Sequence, residues 1–488
     1  VRTVCVGDTK GELGDHAAAD WGDAGCVHKH NIKQLTLRLD HPNMYSCSAF
    51  HGCVLNEKRA MVERHMIQQT PTTPSMLMFI ASIFSVLCRE FPLPGVPLVP
   101  YSRKQVIDEL PASKRQLAQN GYAELDNKGW GSWASRISAF IKYESGELDI
   151  KDPPEGKAPR LIQHRHPGYC YTLAQYLKPL EHFLFSRRFG VKQRLPWITK
   201  GMNSWQVGAR LAAMDRWSDT VFIELDHSRF DSTLRLELRD MEFRFYRRFF
   251  PGDSWLRELL QEQRHNTGRT RNDIRYTVTG TMMSGEYNTS LGDSIINYGA
   301  LRYWAGPEAD IIVNGDDSVV AVPRRVFERL DFGWFTQIGF NTKYDVRYSI
   351  YDVSYCQCKP IRIGGRWRMV RDPWRVMSRS AHTCKNYPTS QLYTELCHAK
   401  GLGELSCNNG VPVLQAFALR MIACNPRFSQ KALDRFMAEN RRCETITHNP
   451  APVTAQARSD FELAFGITPA DQVRLEASLA TAPLGCLL

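Results

Sequence analysis

What the chain has little of narrows the field first. No run of apolar residues is long enough to cross a bilayer: the longest, MLMFIASIFSVLC at 76–88, holds 13 residues, where a span takes about 20. A buried helix is expected there. Cysteine is thinly spread, 14 in 488 residues, without an extracellular disulfide spacing or a leading signal peptide. Reduced thiols in a cytosolic compartment are expected. The one tempting metal cluster, Cys26, His28, His30, Cys47, His51 and Cys53, fits no standard zinc spacing. No internal repeat is found. Acidic residues are the minority charge, 51 against 62 Lys and Arg, a net +11; that suits a polyanionic partner without proving one. A hydrophobic content of 43% supports a real core, and the length allows roughly two to four domain-sized units. The chain opens on Val1 rather than Met, as expected either of a segment of a longer translation product or of a trimmed sequence.

What is present concentrates on one stretch, IIVNGDDSVVAV at 311–322. β-branched runs bracket Asn314-Gly315, a dipeptide that accepts positive φ cheaply, so the stretch reads as strand, tight turn, strand with Asp316 and Asp317 at the turn. Ordinary turns also use Asp, Asn and Gly. The acids therefore need partners.

Residues 1–25 mix Gly, Ala and acids such as Asp8, Glu12 and Asp15 and read as a poorly ordered lead-in. EGKAPRLIQHRHPGY (155–169) has the basic, Pro/Gly-bounded composition of a phosphate-contacting loop, and a helical pattern follows it. TVFIELDHSRFD (220–231) reads as a short strand ending in acids, STLRLELRDMEFRFYRRFF as a basic helix, and GTMMSGEYNTSLGDSIINYGALRYW (280–304) as a Gly-rich turn entering a helix. After the acid hairpin, RVFERLDFGWFTQIGF reads as a helix, and strand-like patterning runs to about 372. Cys356 and Cys358 alternate within it as on a strand. Beyond that the signal is helical, clearest in GVPVLQAFALRMIA and SQKALDRFMAENRR. The order strand, helix, helix, hairpin, helix, strands implies an α+β fold: a ferredoxin-like antiparallel layer with helices on one face, closed by a separate helical unit.

If the strand ending at Asp226 pairs with the hairpin bearing Asp316, the backbones lie about 4.8 Å apart and both carboxylates reach one divalent ion. Mg²⁺, with Mn²⁺ as substitute, prefers such hard oxygen ligands and completes its shell with water and phosphates. Two such ions can activate a 3′-hydroxyl and steady a leaving pyrophosphate. Cations for a triphosphate are on offer at Lys157, Arg160 and Arg165, and at Lys142 beside Glu144.

KAPRLIQHRHPGY…LAQYLKPLE, LDHSRFDSTL, MMSGEYNTSLGD, NGDDSVV, GFNTK and YCQCKP, taken together, resemble successive motifs of the RNA-dependent RNA polymerases of positive-strand RNA viruses, nearest the tombusvirus-like group. The resemblance covers roughly residues 100–475 and leaves out the first 50. It implies a right hand: an N-terminal extension at 1–49, partly disordered or packed on the fingers; fingers and fingertips at 50–215; palm at 216–260 and 283–374; a fingers insertion at 261–282; and a helical thumb at 375–488. It implies that Asp226, Asp316 and Asp317 hold the metal and that Lys343 is a general acid toward pyrophosphate. Asp231 would check the ribose, with Ser284, Gly285, Asn288 and Thr289 facing template and nucleotide, and Lys142, Arg160 and Arg165 would hold the triphosphate. Cys356 and Gln357 would lie in the primer-grip hairpin, where packing is the expected role. One position departs from the family: Asp293 stands where Asn is usual, so Asp231 and Asp293 would face each other as two carboxylates, unless Asn288 has taken over the donor role. Implied partners are RNA template and product duplex, ribonucleoside triphosphates and a viral replication protein encoded upstream. The implied location is host cytoplasm at membrane-associated replication sites, with only indirect membrane contact.

Two rival readings remain. A reverse transcriptase uses the same metal chemistry, but that class carries an aromatic where this chain has Asp231, an acceptor for a 2′-hydroxyl. It also favours a Met or Val where this hairpin has Gly315. A basic RNA-binding or coat protein predicts diffuse charge and no ordered acid set.

Overall fold

The computed structural model describes residues 3–4, 12–21, 33–37, 41–45, 47, 49–143, 158–186, 188–189, 195–380, 382–383, 389–425, 429–431, 433–434, 446–482 and 484–486. At its centre four antiparallel strands, β1 (Thr220–His227), β2 (Asp310–Asn314), β3 (Asp317–Pro323) and β4 (Thr342–Arg347), stand in the spatial order β2-β3-β1-β4. With helices between β1 and β2 and short helical turns between β3 and β4, this is the split βαββαβ arrangement. The expected α+β class and sheet are observed.

Alternation along the strands sends side chains to two cores. Val221, Ile223 and Leu225 of β1 join Ile311, Val313, Val320 and Val322 in the larger one, while Phe222, Ile312, Val319 and Ala321 enter a smaller one. Four helices bracket the sheet: α1 (Pro74–Glu90), α2 (Ser204–Ala212), α3 (Leu236–Arg247) and α4 (Thr289–Ala305). α1, α3 and α4 cover the first face through Ile80, Ile83, Leu238, Phe245, Ile295 and Ile296. The expected layer carries helices on one face. The second face is also packed, by Leu211 of α2 and Met369 of a hairpin formed by β5 (Cys358–Ile363) and β6 (Arg366–Arg371), while the end carrying the acids is exposed at Asp226, Asp316 and Asp317.

Around this centre lies a five-stranded mixed sheet in the order Ala17–Asp20, Arg275–Thr279, His265–Thr270, Ile137–Ile141, Leu161–His164. A C-terminal helical unit includes Ser390–Asn408, Leu414–Ala423, Ala455–Phe465 and Pro469–Thr481 around Val411, Phe417 and Phe461. Its core is separate from that of the sheet, as the sequence implies.

Several expectations are corrected. Ala17–Asp20, read as part of a poorly ordered lead-in, pairs with Arg275–Thr279, where the ladder satisfies its backbone. The segment after Lys157, read as a loop, forms the strand Leu161–His164, because Leu161 and Gln163 alternate inward. RVFERLDFGWFTQIGF is not one helix; two single turns, Arg324–Phe327 and Trp334–Gln337, are separated where Asp331 accepts from the Gly333 N–H at 2.9 Å. The apolar run at 76–88 lies in α1, capped by Thr73 and started by Pro74. It is one-sided rather than buried all round, with Leu77 and Met78 exposed. No helix among the described residues is long and apolar enough to cross a membrane. Cys26, His28 and His30, together with Glu144, Lys157 and most of SQKALDRFMAENRR, lie outside the described residues.

Candidate active site

The register of the central sheet aligns the acids. Asn314 pairs with Asp317 across the hairpin, and Lys343 pairs with Asp226 across β4 and β1. β3 and β1 pair as far as Ser318 and Leu225, so one residue further Asp317 is level with Asp226. Residues opposite each other on antiparallel strands project from the same face. Asn314, Asp317, Asp226 and Lys343 thus form a row across the open end of the sheet, with both acids and the lysine exposed. Asp316 sits beside them on the turn that Gly315 makes with φ 68°.

The carboxylates crowd one another. The tip is open, yet the enclosing protein strips enough water to raise the Asp316 carboxyl, and the charge of Asp226 adds to that. Asp317 is pushed up to about 6 by desolvation first, then by Asp316 and Asp226. Carboxylates that raise each other's pKa are stabilised by a cation among them, and an all-oxygen donor set suits a hard divalent ion. Among the described residues no three His, Cys, Asp or Glu side chains are gathered closely enough to hold one ion together. The acids therefore fit an ion that takes its remaining ligands from water and substrate.

The turn is held from behind by α4. Asn297 Nδ2 donates to the carbonyl oxygens of Gly315 at 2.9 Å and Asp316 at 3.2 Å. One helical turn earlier, Ser294 Oγ accepts from the Gly315 N–H at 2.9 Å. With its amide hydrogens so used, Asn297 presents Oδ1 to His227 Nε2 at 3.2 Å, so Nε2 carries the proton and Nδ1 accepts from the Thr342 hydroxyl at 2.8 Å. Burial drives the His227 imidazole down to about 4, which keeps it neutral. The neighbours in sequence of Asp226 and Lys343 are thereby tied, through α4, to the acid turn. His227, Ser294 and Asn297 were missed in the sequence, although polar residues three apart on an apolar helix are a legible signal.

The two carboxylates at 231 and 293 do face each other, joined by a hydrogen bond. Asp231 lies just after β1, beyond the left-handed Arg229 (φ 57°). Burial lifts it to about 6, the charge of Asp316 adds to this, and Arg160 and Arg64 oppose it. Asp293 is raised further by burial and by Asp231. It is therefore the proton donor of the pair, and its Oδ1 is buried without a partner. Asn288 has not taken over the donor role: its amide bonds Glu242 at 2.9 Å and Gln263 at 3.1 Å in the core.

Other expected contacts are redirected. Arg165 is buried, with Nε donating to Glu286 at 2.7 Å and its remaining nitrogens to the Ser135 carbonyl and Asn266. A guanidinium so enclosed does not reach a triphosphate. Ser284 Oγ donates to the Leu161 carbonyl at 2.8 Å and accepts from the Gln163 N–H at 3.2 Å. The Gly285 N–H donates to the Gln163 carbonyl at 2.9 Å, and a Cβ at 285 would meet that oxygen at 2.7 Å. Thr289 Oγ1 donates to the Met283 carbonyl at 2.8 Å. These three and Asn288 build the Gly-rich loop and do not offer donors to a ribose. Arg160 is exposed, and its charge reaches Asp231 and Asp316. Lys142 is half-buried and its N–H donates to the Arg160 carbonyl at 2.7 Å. Arg64, which acts on the same two acids as Arg160, was not legible; it reaches them only through the fold.

A family model described as viral RNA dependent RNA polymerase matches residues 50–486. Similar curated proteins include the RNA-directed RNA polymerases of Cymbidium ringspot virus and of tomato bushy stunt virus (strain Cherry), each 31% identical over 362 residues, 70% of this chain and 42% of theirs. That of carnation mottle virus is 29% identical over 393 residues, 78% of this chain and 50% of its own. The chain spans about half or less of the length of these relatives.

Proposed function

The chain belongs to the viral RNA-dependent RNA polymerase family, and from that membership we propose that it copies an RNA template by nucleotidyl transfer during replication of a positive-strand RNA genome. The observation that carries the proposal is the row Asn314, Asp317, Asp226, Lys343 with Asp316 at its edge. In this reading residues 50–215 and 261–282 are fingers, 216–260 and 283–374 palm and 375–488 thumb, with 1–49 an N-terminal extension.

Asp226, Asp316 and Asp317 would hold Mg²⁺, for which Mn²⁺ can substitute. When bound, such ions lower the pKa of an attacking 3′-hydroxyl and neutralise charge on the leaving pyrophosphate. The chain's own residues do the rest. Asn297 and Ser294 fix the backbone of the acid turn, so the carboxylates meet substrate in one arrangement. Lys343, level with Asp226, would give a proton to the departing pyrophosphate oxygen. Arg160, with Lys142 beside it, neutralises the triphosphate. Asp231, held by the proton of Asp293, accepts from the ribose 2′-hydroxyl; that favours ribonucleotides and counts against a reverse transcriptase. Partners are an RNA template and product duplex, ribonucleoside triphosphates and an upstream-encoded viral replication protein. The site of action is the host cytoplasm at membrane-associated replication sites, a reading that rests on resemblance alone.

The test is metal-dependent incorporation of labelled UTP on poly(A). Template-dependent product from UTP but not dTTP is expected. Incorporation of dTTP in preference would turn the reading to a reverse transcriptase, and RNA binding without incorporation would turn it to a non-catalytic RNA-binding protein.

A further inference from the structure

Leu161 is buried on an edge strand of the five-stranded sheet, so the backbone groups it turns off that edge need partners from outside the ladder. Its carbonyl accepts from Ser284 Oγ at 2.8 Å. Its N–H donates to His65 Nε2 at 2.9 Å. The other end of the same peptide group, the Arg160 carbonyl, accepts from the Lys142 N–H at 2.7 Å. The peptide that joins Arg160 to Leu161 is therefore held at both its oxygen and its hydrogen, by the neighbouring strand's end on one side and by a histidine on the other.

His65 reaches this position from an unusual piece of backbone. The helix Val54–Ala60 runs on into a wider turn, Met61–His65, where the Met66 N–H donates to the Met61 carbonyl five residues back, at 2.7 Å. Such π turns are rare and recur at functional sites. This one is fixed to the segment that follows β1: the Ser232 hydroxyl donates to the Arg64 carbonyl, and Gln69 Nε2 donates to the Ser232 carbonyl at 2.8 Å. Ser232 follows Asp231 directly. One turn thus ties the neighbour of Asp231 to the neighbour of Arg160. An imidazole accepts at Nε2 only while it is neutral with its proton on Nδ1. Burial first, and then the charges of Arg64 and Arg160, hold His65 down at about 3, which keeps it neutral.

We propose that His65 is a positioning residue for Arg160: by accepting from the Leu161 N–H it fixes the peptide next to the guanidinium's own backbone, and with it the place where that cation meets the nucleotide triphosphate. This rests on the reading of Arg160 as a triphosphate contact. Arg160 is exposed, so its backbone rather than core packing sets its reach, and a displacement of about 1 Å at a substrate contact can cost on the order of a hundredfold. The imidazole is spent on the Leu161 N–H and acts on the nucleotide only through Arg160. Its loss therefore lowers nucleotide affinity and leaves RNA binding alone.

The test is steady-state UTP incorporation on poly(A), with RNA affinity followed separately by fluorescence anisotropy, for wild type, His65→Leu, His65→Phe, His65→Gln, Arg160→Ala and the double variant His65→Leu/Arg160→Ala. Melting curves establish that each variant is folded, and Phe, which keeps a ring without the acceptor, stands in should Leu fail to fold. His65→Leu is expected to raise the UTP KM about fivefold, with turnover within about twofold and RNA affinity unchanged, while His65→Gln, whose Oε1 accepts in place of Nε2, stays within about twofold of wild type. In the Arg160→Ala background His65→Leu should add nothing further, because the contact it orients is already gone. A wild-type UTP KM in folded His65→Leu or His65→Phe, Gln and Leu impaired alike, or effects of His65→Leu and Arg160→Ala that multiply, overturns the proposal. Arg160→Ala separates the two levels. If it leaves the UTP KM unchanged, the triphosphate reading fails and takes the proposal with it; if it raises the KM while His65→Leu does not, only the role of the histidine fails.

Discussion

Asn297 donates to the Gly315 carbonyl at 2.9 Å, so the helix that follows the Gly-rich loop holds the backbone of the acid turn. Each such hydrogen bond contributes about 1 kcal/mol net. Asn297→Ala removes this one and the bond to Asp316. Turnover is expected to fall roughly tenfold to thirtyfold with the nucleotide KM little changed, because the side chain orders the turn without touching substrate. Steady-state kinetics of UTP incorporation separates the two parameters; a raised KM with normal turnover would contradict the positioning role.

Asp231 and Asp293 make a prediction about pH. Both carboxyls have folded-state pKa values above the ordinary value, Asp231 at about 6. The folded state therefore binds more protons than the unfolded one, and the stability they contribute is lost as pH rises from about 4 through 6 and beyond. Asp293→Asn keeps a donor to Asp231 and removes one charge. Relative to wild type, its melting temperature should climb steadily over that window, and it should retain activity. A difference that is flat with pH would show that the two carboxyls do not share a proton.

Arg165 and Arg160, five residues apart, should behave oppositely. Arg165→Met removes one of the two guanidinium partners of the buried Glu286 and leaves it Arg239 at 3.3 Å; breaking a buried pair from one side costs about 3–5 kcal/mol, and the remaining partner puts this loss toward the lower end. A large loss in chemical denaturation is expected. Arg160→Ala, at an exposed position, should change stability by no more than about 0.5 kcal/mol and instead raise the apparent KM for nucleotides. If only RNA affinity fell, the residue would be a template contact.

The contrast between these two arginines shows what the sequence could and could not reveal. β1 and the acid hairpin were legible because β-branched residues, Asn-Gly and paired acids encode them locally. The opposed carboxylates at 231 and 293 were implied by the resemblance to the polymerase family and by nothing local in the sequence. Arg165 was read as a triphosphate-binding cation of a basic loop, whereas it continues the inward alternation of Leu161 and Gln163, and its partner Glu286 lies 121 residues away. Ser284, Asn288 and Thr289 were placed in the correct loop, but their hydrogen bonds are spent building it, which no local pattern discloses. His227, Ser294 and Asn297 take their roles from the packing of α4 behind the turn. The resemblance put Cys356 and Gln357 in a hairpin, but the local reading of Cys356 and Cys358 as alternating on a strand is corrected: the strand starts at Cys358, and Cys356 and Gln357 form the turn before it with positive φ, which neither residue type favours.

In the function proposed for this chain, the acids of β1 and the hairpin form the polymerising site. Single-nucleotide extension of a labelled RNA primer on an RNA template in Mg²⁺, by wild type and by Asp316→Asn, tests it most directly. The substitution weakens a cation ligand at an exposed turn and removes no core volume, so fold and RNA affinity should survive. Loss of about 4 kcal/mol of transition-state stabilisation corresponds to a rate reduction on the order of 10³, and the account predicts a loss at least that large. Near-normal extension by folded Asp316→Asn would contradict it.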